Sequence, residues 1–437
     1  MLCRSRPHAQ MATTDSPLAV NALLVFFSGV LLPAALPNEI LPGGSTGIGL
    51  VALVPALLAV YRSTSHRDAV GLGALFGAVS TATGNYWLAF FGDFSVWTIG
   101  SVVAVYTLFN SVLFGYLHFL AHRLRAADRP LVLAVAWTAY EFLKSIGFLG
   151  YPWGLVAYPL ARVNAVAQVA EFTGVWGLSF VAAYANTSIA ELFRSRDTAA
   201  LHGSRDPSRV LAHLAAVTAL VLVAGGYGLW RIPQVTPEKT LQAVLVQQNV
   251  DSWRPGAFED ALRTAQNLTR SALESAERPV DLIVWSETSL RLPYEEARTF
   301  YAERPRGDPF LDFLRDTGVP MVVGAPVPMS ETDETLVGNG TLIIAPNGEV
   351  RGRYAKQQLV PVAEGVPFWN VRPVRRFLTD VVGIRGVWTP GRSSMPISLP
   401  LSDGTELAVG TPICFEDAFG WVGRKMVGNG ARLLVNL

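Results

Sequence analysis

Apolar residues are distributed very unevenly along this chain, and the unevenness limits what it can fold into. Before residue 231, seven stretches approach the roughly 20 apolar residues that a helix needs to cross a bilayer. They are residues 18–37, 47–61, 69–91, 97–120, 130–147, 164–193 and 209–230, the second short and the sixth long. After residue 231 no such stretch occurs. Charged residues make up only 16% of the 437, against about 25% in soluble domains. The expectation is a multi-span α-helical membrane domain over 1–231, with about seven transmembrane helices, followed by a separate domain over 232–437.

Basic residues then orient the first half. Arg4 and Arg6 precede the first stretch, and Arg62 and Arg67 separate the second from the third. Arg123, Arg125 and Arg129 lie between the fourth and fifth, and Arg194, Arg196, Arg205 and Arg209 between the sixth and seventh. The alternate loops are poorer in base: two have none, and the longest has Lys144 and Arg162. The arginine-rich loops and the N-terminus are therefore expected in the cytoplasm. An odd number of spans puts everything after Trp230 on the far side. The glycines of Gly71-Leu72-Gly73-Ala74-Leu75-Phe76-Gly77 lie inside an apolar stretch, where small residues let helices pack closely. Two aromatic clusters, Asn85-Tyr86-Trp87 with Trp97 and 148–153, fit an interfacial belt or the lining of a lipid-entry site.

The second half reads as a layered α/β domain. Apolar strand-like runs at 241–246, 282–285, 320–324, 341–345, 350–354, 407–409 and 432–436 alternate with helical spacing at 258–277 and 310–317. Pro346-Asn347-Gly348 is a hairpin turn between two of the runs. The sequons at Asn186, Asn267 and Asn339 read as coincidental. A net charge of +1 gives no electrostatic case for nucleic acid. The two cysteines, Cys3 and Cys414, make no disulfide framework.

Cys414 sits just past the apolar run 407–409, in Thr411-Pro412-Ile413-Cys414-Phe415-Glu416-Asp417. No histidine follows His213, so a thiol nucleophile in this half needs a carboxylate as its base. Glu287 follows the buried-strand run Leu282-Ile283-Val284-Trp285, and Lys356 ends Tyr354-Ala355-Lys356 after the hairpin. Side chains at strand ends converge on the ligand edge of an α/β sheet. There Glu287 can take the thiol proton and return it to a leaving group. Lys356 can lower the thiol pKa and face a developing oxyanion, helped by the Phe415 amide. Glu364 can orient Lys356 or carry a proton. Alone, three of them have a plainer reading: a buried small apolar residue for Cys414, solvated surface charges for Glu287 and Lys356. Their joint placement at strand ends is what points to acyl transfer.

Trp285-Ser286-Glu287, Tyr354-Ala355-Lys356 with Leu359-Val360-Pro361 and Glu364, and Ile413-Cys414-Phe415-Glu416 resemble the Glu-Lys-Cys signature of the nitrilase, or carbon–nitrogen hydrolase, superfamily. With the multi-span first half, and with Tyr151-Pro152-Trp153 and Gly174-Val175-Trp176-Gly177-Leu178-Ser179-Phe180, the chain resembles the apolipoprotein N-acyltransferase family. The resemblance implies an αββα sandwich facing the periplasm, in a multi-pass protein of the bacterial inner membrane. It implies attack by Cys414 on a phospholipid ester, then transfer of the acyl chain to the amine of a diacylglyceryl lipoprotein. Glu287 is then the base, Lys356 the oxyanion partner, Glu364 a supporting carboxylate and Glu416 a structural one. No metal or organic cofactor is expected, and a monomer is. Family members continue past the strand at 433–437 with an Asn-Asp-Trp-Phe-like loop, further strands and a last span. On that resemblance the chain reads as truncated, with weak or no activity expected.

Val366-Pro367-Phe368-Trp369-Asn370-Val371, followed by Arg372, Arg375 and Arg376, reads as a lid, with Phe368 and Trp369 touching lipid and the arginines near phosphates. A membrane-tethered amidase acting on a small amide would share the triad and lack that need. A transporter would place ionisable groups at mid-membrane, where Glu141 and Glu171 are the acidic candidates.

Overall fold

The computed structural model describes residues 17–437 apart from 91–94, 203–207, 238, 251–255, 334, 362, 385 and 402–403. The chain forms two compact units, Met1–Val235 and Thr236–Leu437. Arg4, Arg6 and Arg205, which entered the topology argument, lie outside the described residues.

The first unit is helical. Among its described residues, Leu18–Ala35, Ser95–Arg123 and Ser208–Gln234 are long and apolar enough to cross a membrane. The stretch expected at 164–193 is not one straight helix. It is a pair, Asn164–Thr173 and Val175–Ser195, bent by 118° where Gly174 takes a positive φ of 59°. The stretch at 47–61 falls in the shorter apolar helix Thr46–Arg62, and the one at 130–147 forms a 16-residue helix ending at Lys144.

Close approach and buried polar groups fix the packing of this unit. A Cβ on Gly73 or Gly77 would fall 2.4 Å from the Asn110 carbonyl oxygen or 2.6 Å from that of Tyr106. Gly73 and Gly77 therefore seat their helix against Ser95–Arg123, the small-residue contact of membrane helices, while Gly71 faces open space. Arg129 donates to both carboxylate oxygens of buried Glu191 at 2.7 and 2.9 Å. Asn186 accepts from the Leu53 amide at 2.8 Å and donates to the Gly49 carbonyl at 2.9 Å. Such groups are costly in an apolar interior unless paired.

The second unit holds two sheets. In the larger, β1 (Ala243–Val246), β2 (Leu282–Trp285) and β3 (Met321–Pro328) run parallel. The antiparallel strands β4 (Val337–Ile344) and β5 (Val350–Ala355) complete it. The smaller sheet has the order β6 (Ile397–Pro400), β7 (Glu406–Gly410), β8 (Leu433–Leu434). Buried strands such as β2, with all four residues inside, read as continuous apolar runs because both faces are covered. The Phe258–Glu274 and Phe310–Thr317 helices bring Leu262, Phe310 and Phe313 into the core around Trp285. The indole of Trp285 packs, tilted, at 5.5 and 5.6 Å from the two phenyl rings and donates to the Thr269 hydroxyl at 2.9 Å. Truncating an aromatic side chain in such a core costs about 3–5 kcal/mol, so this cluster anchors β2 to the two helices.

Candidate active site

Glu287, Lys356 and Cys414 leave the sheets one to four residues past a strand, and Glu364 lies in the loop after β5. Glu287 lies two residues after β2, in a turn held by the Leu290 amide donating to the Gly324 carbonyl at 2.9 Å. That turn lies directly against β3. A Cβ on Gly324 would come within 2.7 Å of the Glu287 Cα and 2.5 Å of the Thr288 nitrogen, so only glycine fits. Lys356 follows β5 directly and is pinned at both backbone groups. Its amide donates to the Asn339 carbonyl at 2.8 Å, and its carbonyl accepts from Gly391 at 2.8 Å. Cys414 follows β7 and opens a short 3-10 turn. It takes a φ of 50°, which a non-glycine residue adopts rarely and at some cost. Its amide donates to the Leu437 carbonyl at 2.8 Å.

These turns bring Glu287, Lys356, Glu364 and Cys414 together. The Lys356 side chain is fully buried, and its ammonium lies 2.9 Å from Glu364 Oε1 and 3.3 Å from Glu287 Oε1. A buried ammonium needs such partners. Burial alone pulls Lys356 down, but the charges of Glu364, Glu287 and Cys414 more than offset it and hold the group above its ordinary value. Cys414 keeps solvent access. Even so, protein around the sulfur displaces enough water to push the thiol up, the Glu287 charge adds to this, and Lys356 opposes it; the result is about 12. A thiol–carboxylate hydrogen bond to Glu287 acts in the same upward direction. The thiol is therefore neutral at pH 7, with a carboxylate placed to accept its proton.

Asn339 in β4 is part of the same cluster, though its sequon reads as coincidental in the sequence alone. Its Nδ2 donates to Glu287 Oε1 at 2.6 Å and to Glu364 Oε1 at 3.0 Å. Two carboxylates share one ammonium, and this amide supplies further donors between them. A sequence signal existed in Gly338-Asn339-Gly340: a polar residue flanked by glycines inside a strand marks close backbone approach. Glu364 is held by its own loop, with Oε2 accepting from the Val360 amide at 2.9 Å.

Glu416 is placed differently. It is 1% exposed and accepts from the Tyr354 hydroxyl at 2.8 and 2.9 Å. It also accepts from the amides of Gln357, Gln358 and Ile413 at 2.7, 3.1 and 2.9 Å. It thereby ties the cysteine turn to the end of β5. Burial raises its pKa, against the pull of those hydrogen bonds. Phe415 is buried, its ring edge-on to Phe419 at 4.9 Å. Phe368 is 74% exposed at a φ of 59°, and Trp369 is half-buried. Exposed Arg372, Arg375 and Arg376 follow in a short helix, Arg372–Phe377. This excursion starts and ends at Glu364, whose carbonyl accepts from the Trp388 amide at 3.0 Å. Among the described residues no cluster of His, Cys, Asp and Glu has metal-ligand geometry.

The sequence profile of the carbon–nitrogen hydrolases matches residues 242–437, and the second unit is a domain of that class. The profile of the apolipoprotein N-acyltransferase N-terminal domain matches residues 28–188. Among curated proteins, the chain is 35% identical to apolipoprotein N-acyltransferase 2 of Treponema denticola, over 96% of this chain and 79% of that protein. It is 35% identical to apolipoprotein N-acyltransferase 2 of Treponema pallidum (94% and 76%) and 28% identical to the Borreliella burgdorferi apolipoprotein N-acyltransferase (94% and 76%). The chain belongs to the apolipoprotein N-acyltransferase family. Among solved structures, a carbon–nitrogen hydrolase from Helicobacter pylori G27 is similar at 16% identity and a TM-score of 0.30, covering 45% of this chain and 59% of that one. An amidase from Nesterenkonia sp. is similar at 19% and 0.31, covering 46% and 66%.

Proposed function

We propose that this chain moves an acyl chain from a phospholipid to the N-terminal amine of a diacylglyceryl lipoprotein through a thioester on Cys414. The observation that carries the reading is the Lys356-centred cluster: one buried ammonium, two carboxylates, and a neutral thiol hydrogen-bonded to one of them. In the first half-reaction the Cys414 sulfur attacks the ester carbonyl carbon while its proton passes to Glu287. The carbonyl oxygen becomes an oxyanion beside the Lys356 ammonium. The ester C–O bond breaks, Glu287 returns the proton to the departing alkoxide, and a lysophospholipid leaves. In the second, the lipoprotein amine attacks the thioester carbon and loses a proton to Glu287. The C–S bond breaks, and the sulfur recovers that proton. A thiol near 12 is a poor resting thiolate, so proton transfer accompanies attack. Glu364 and Asn339 position the pair, and Glu416 with Phe415 holds the turn.

The same reading puts 1–231 in a bacterial inner membrane as a multi-pass domain, with the arginine-rich loops in the cytoplasm and the catalytic domain in the periplasm. Phe368 and Trp369, with the arginines after them, then form a lid at the lipid surface, where exposed aromatic and basic residues are stable. The test is incubation with a phospholipid carrying an alkynyl sn-1 chain. Hydroxylamine-labile label should appear on Cys414 and discharge onto a diacylglyceryl-cysteine peptide. Discharge to water at the same rate without that peptide would instead mark a hydrolase.

A further inference from the structure

The turn that carries Glu287 is held in a conformation its sequence disfavours. Among the described residues four non-glycine residues take a positive φ. Three of them follow β1, β2 and β7: Asn249 at 48°, Thr288 at 53° and Cys414 at 50°. Thr288 stands next to Glu287, and for a β-branched side chain such a φ is a genuine outlier. It persists where the surroundings over-determine it. Two anchors lie on the β3 side and within the turn itself. The Leu290 amide donates to the Gly324 carbonyl at 2.9 Å, and the Ser289 hydroxyl donates back to the Ser286 carbonyl at 2.6 Å.

A third anchor comes from the strand on the other side. β1 pairs with β2 in parallel, Val246 opposite Trp285, so the two chains leave the sheet side by side. Gln248, two residues past β1 and 9% exposed, accepts from the Ser286 hydroxyl at 2.9 Å. Ser286 has one hydroxyl proton to give, and it goes to this amide oxygen. The residue directly before Glu287 is thus tied to the loop after β1. Losing the acceptor strands a hydroxyl that is half-buried. It also releases the β1 side of a turn whose backbone is already strained.

We propose that Gln248 is a positioning residue for acyl transfer: through Ser286 it fixes the turn of Glu287 and keeps that carboxylate aligned with the Cys414 thiol. Gln248 itself moves no proton. The inference rests on the reading of Glu287 as the base. Alignment matters because a base takes a proton during attack within hydrogen-bond reach, and a misplacement of about 1 Å can cost about 10²-fold in rate.

The experiment acylates the full chain in dodecyl maltoside micelles with a p-nitrophenyl ester, the burst of p-nitrophenol counting working sites. Gln248→Met keeps the side-chain length and removes the amide oxygen; Gln248→Glu keeps an acceptor. Gln248→Met should lower kcat about 10–100-fold with KM unchanged, and Gln248→Glu should recover most of that loss. Ser286→Ala should match Gln248→Met, and the double variant should lose no more than either alone, as expected for one shared interaction. The pH profile of Cys414 alkylation by iodoacetamide should move to lower pH in Gln248→Met, because a displaced Glu287 holds the thiol proton less well; a loss of stability alone would not move it. On a Glu287→Gln background Gln248→Met should cost nothing further. Parental kcat in Gln248→Met, fully additive losses with Ser286→Ala, or an undiminished loss on the Glu287→Gln background would overturn the proposal and leave Glu287 as the base. Parental acylation in Glu287→Gln would instead overturn the reading of the base, and this inference with it.

Discussion

Two carboxylate clusters lie within a few residues of each other in space and are built to opposite ends. Around Glu416 the fold supplies a tyrosine hydroxyl and three backbone amides to a side chain fully removed from solvent. Around Glu287 it supplies one amide group and a shared ammonium, and leaves the side chain 25% exposed. A saturated carboxylate has no lone pair to spare for a passing proton; an undersaturated one beside a thiol does. Proximity in sequence misleads here, because Glu416 is two residues from Cys414, the proposed nucleophile, and Glu287 is over a hundred away.

The comparison can be broken most severely at the sulfur. Cys414→Ala should abolish thioester formation with every ester donor while leaving the thermal transition within a few degrees of the parent. Glu287→Gln should slow Cys414 acylation by about 10²–10⁴-fold, the usual contribution of a general base, with little change in stability. Glu416→Ala should show the reverse balance. Stranding the Tyr354 hydroxyl and buried amides costs about 3 kcal/mol, read as a lowered midpoint in chemical or thermal denaturation. Acylation should fall mainly in proportion to the unfolded fraction. If the two variants exchange these signatures, the division between structural and chemical carboxylates is wrong. A smaller effect is expected at the lid. Replacing Phe368 and Trp369 by alanine should weaken acylation from a phospholipid about tenfold, a loss of apolar contact, and leave acylation from a water-soluble ester unchanged. Equal losses with both donors would remove the lid from the account.

Much of the catalytic unit is legible in the sequence because its signals are local. The run 282–285 is β2 to the residue, 310–317 is the matching helix, and Pro346-Asn347-Gly348 is the turn between β4 and β5. Glu287, Lys356 and Cys414 are readable as a set because strand-end positions converge by topology, whereas Glu364, in the loop after β5, is readable from the family motif around it. Asn339 is not, since its role depends on pairing across β4 and β5, which bring its amide to two carboxylates from other loops. β6 is missed because it ends in proline and interrupts its apolar residues with Ser398, so no continuous apolar run marks it. In the helical unit hydropathy finds apolar stretches and says nothing about breaks. The 118° bend follows from one glycine conformation at Gly174, and Lys144 ends a helix that apolar content would have carried further.

The central claim is that Cys414 rests as a neutral thiol held by Glu287, and the pH dependence of its alkylation by iodoacetamide tests this most directly. The folded thiol, pushed up from 9.0 to about 12, favours the protonated form. It therefore contributes stability that is full below about pH 9 and lost as pH rises from there towards 12. The account predicts that the alkylation rate of the folded protein climbs steadily through pH 8–10 without a plateau. In Glu287→Gln, which removes the charge and hydrogen bond that hold the proton, the profile should shift to lower pH even as acyl transfer is lost. A wild-type plateau near neutral pH, or a Glu287→Gln profile shifted to higher pH, would contradict it.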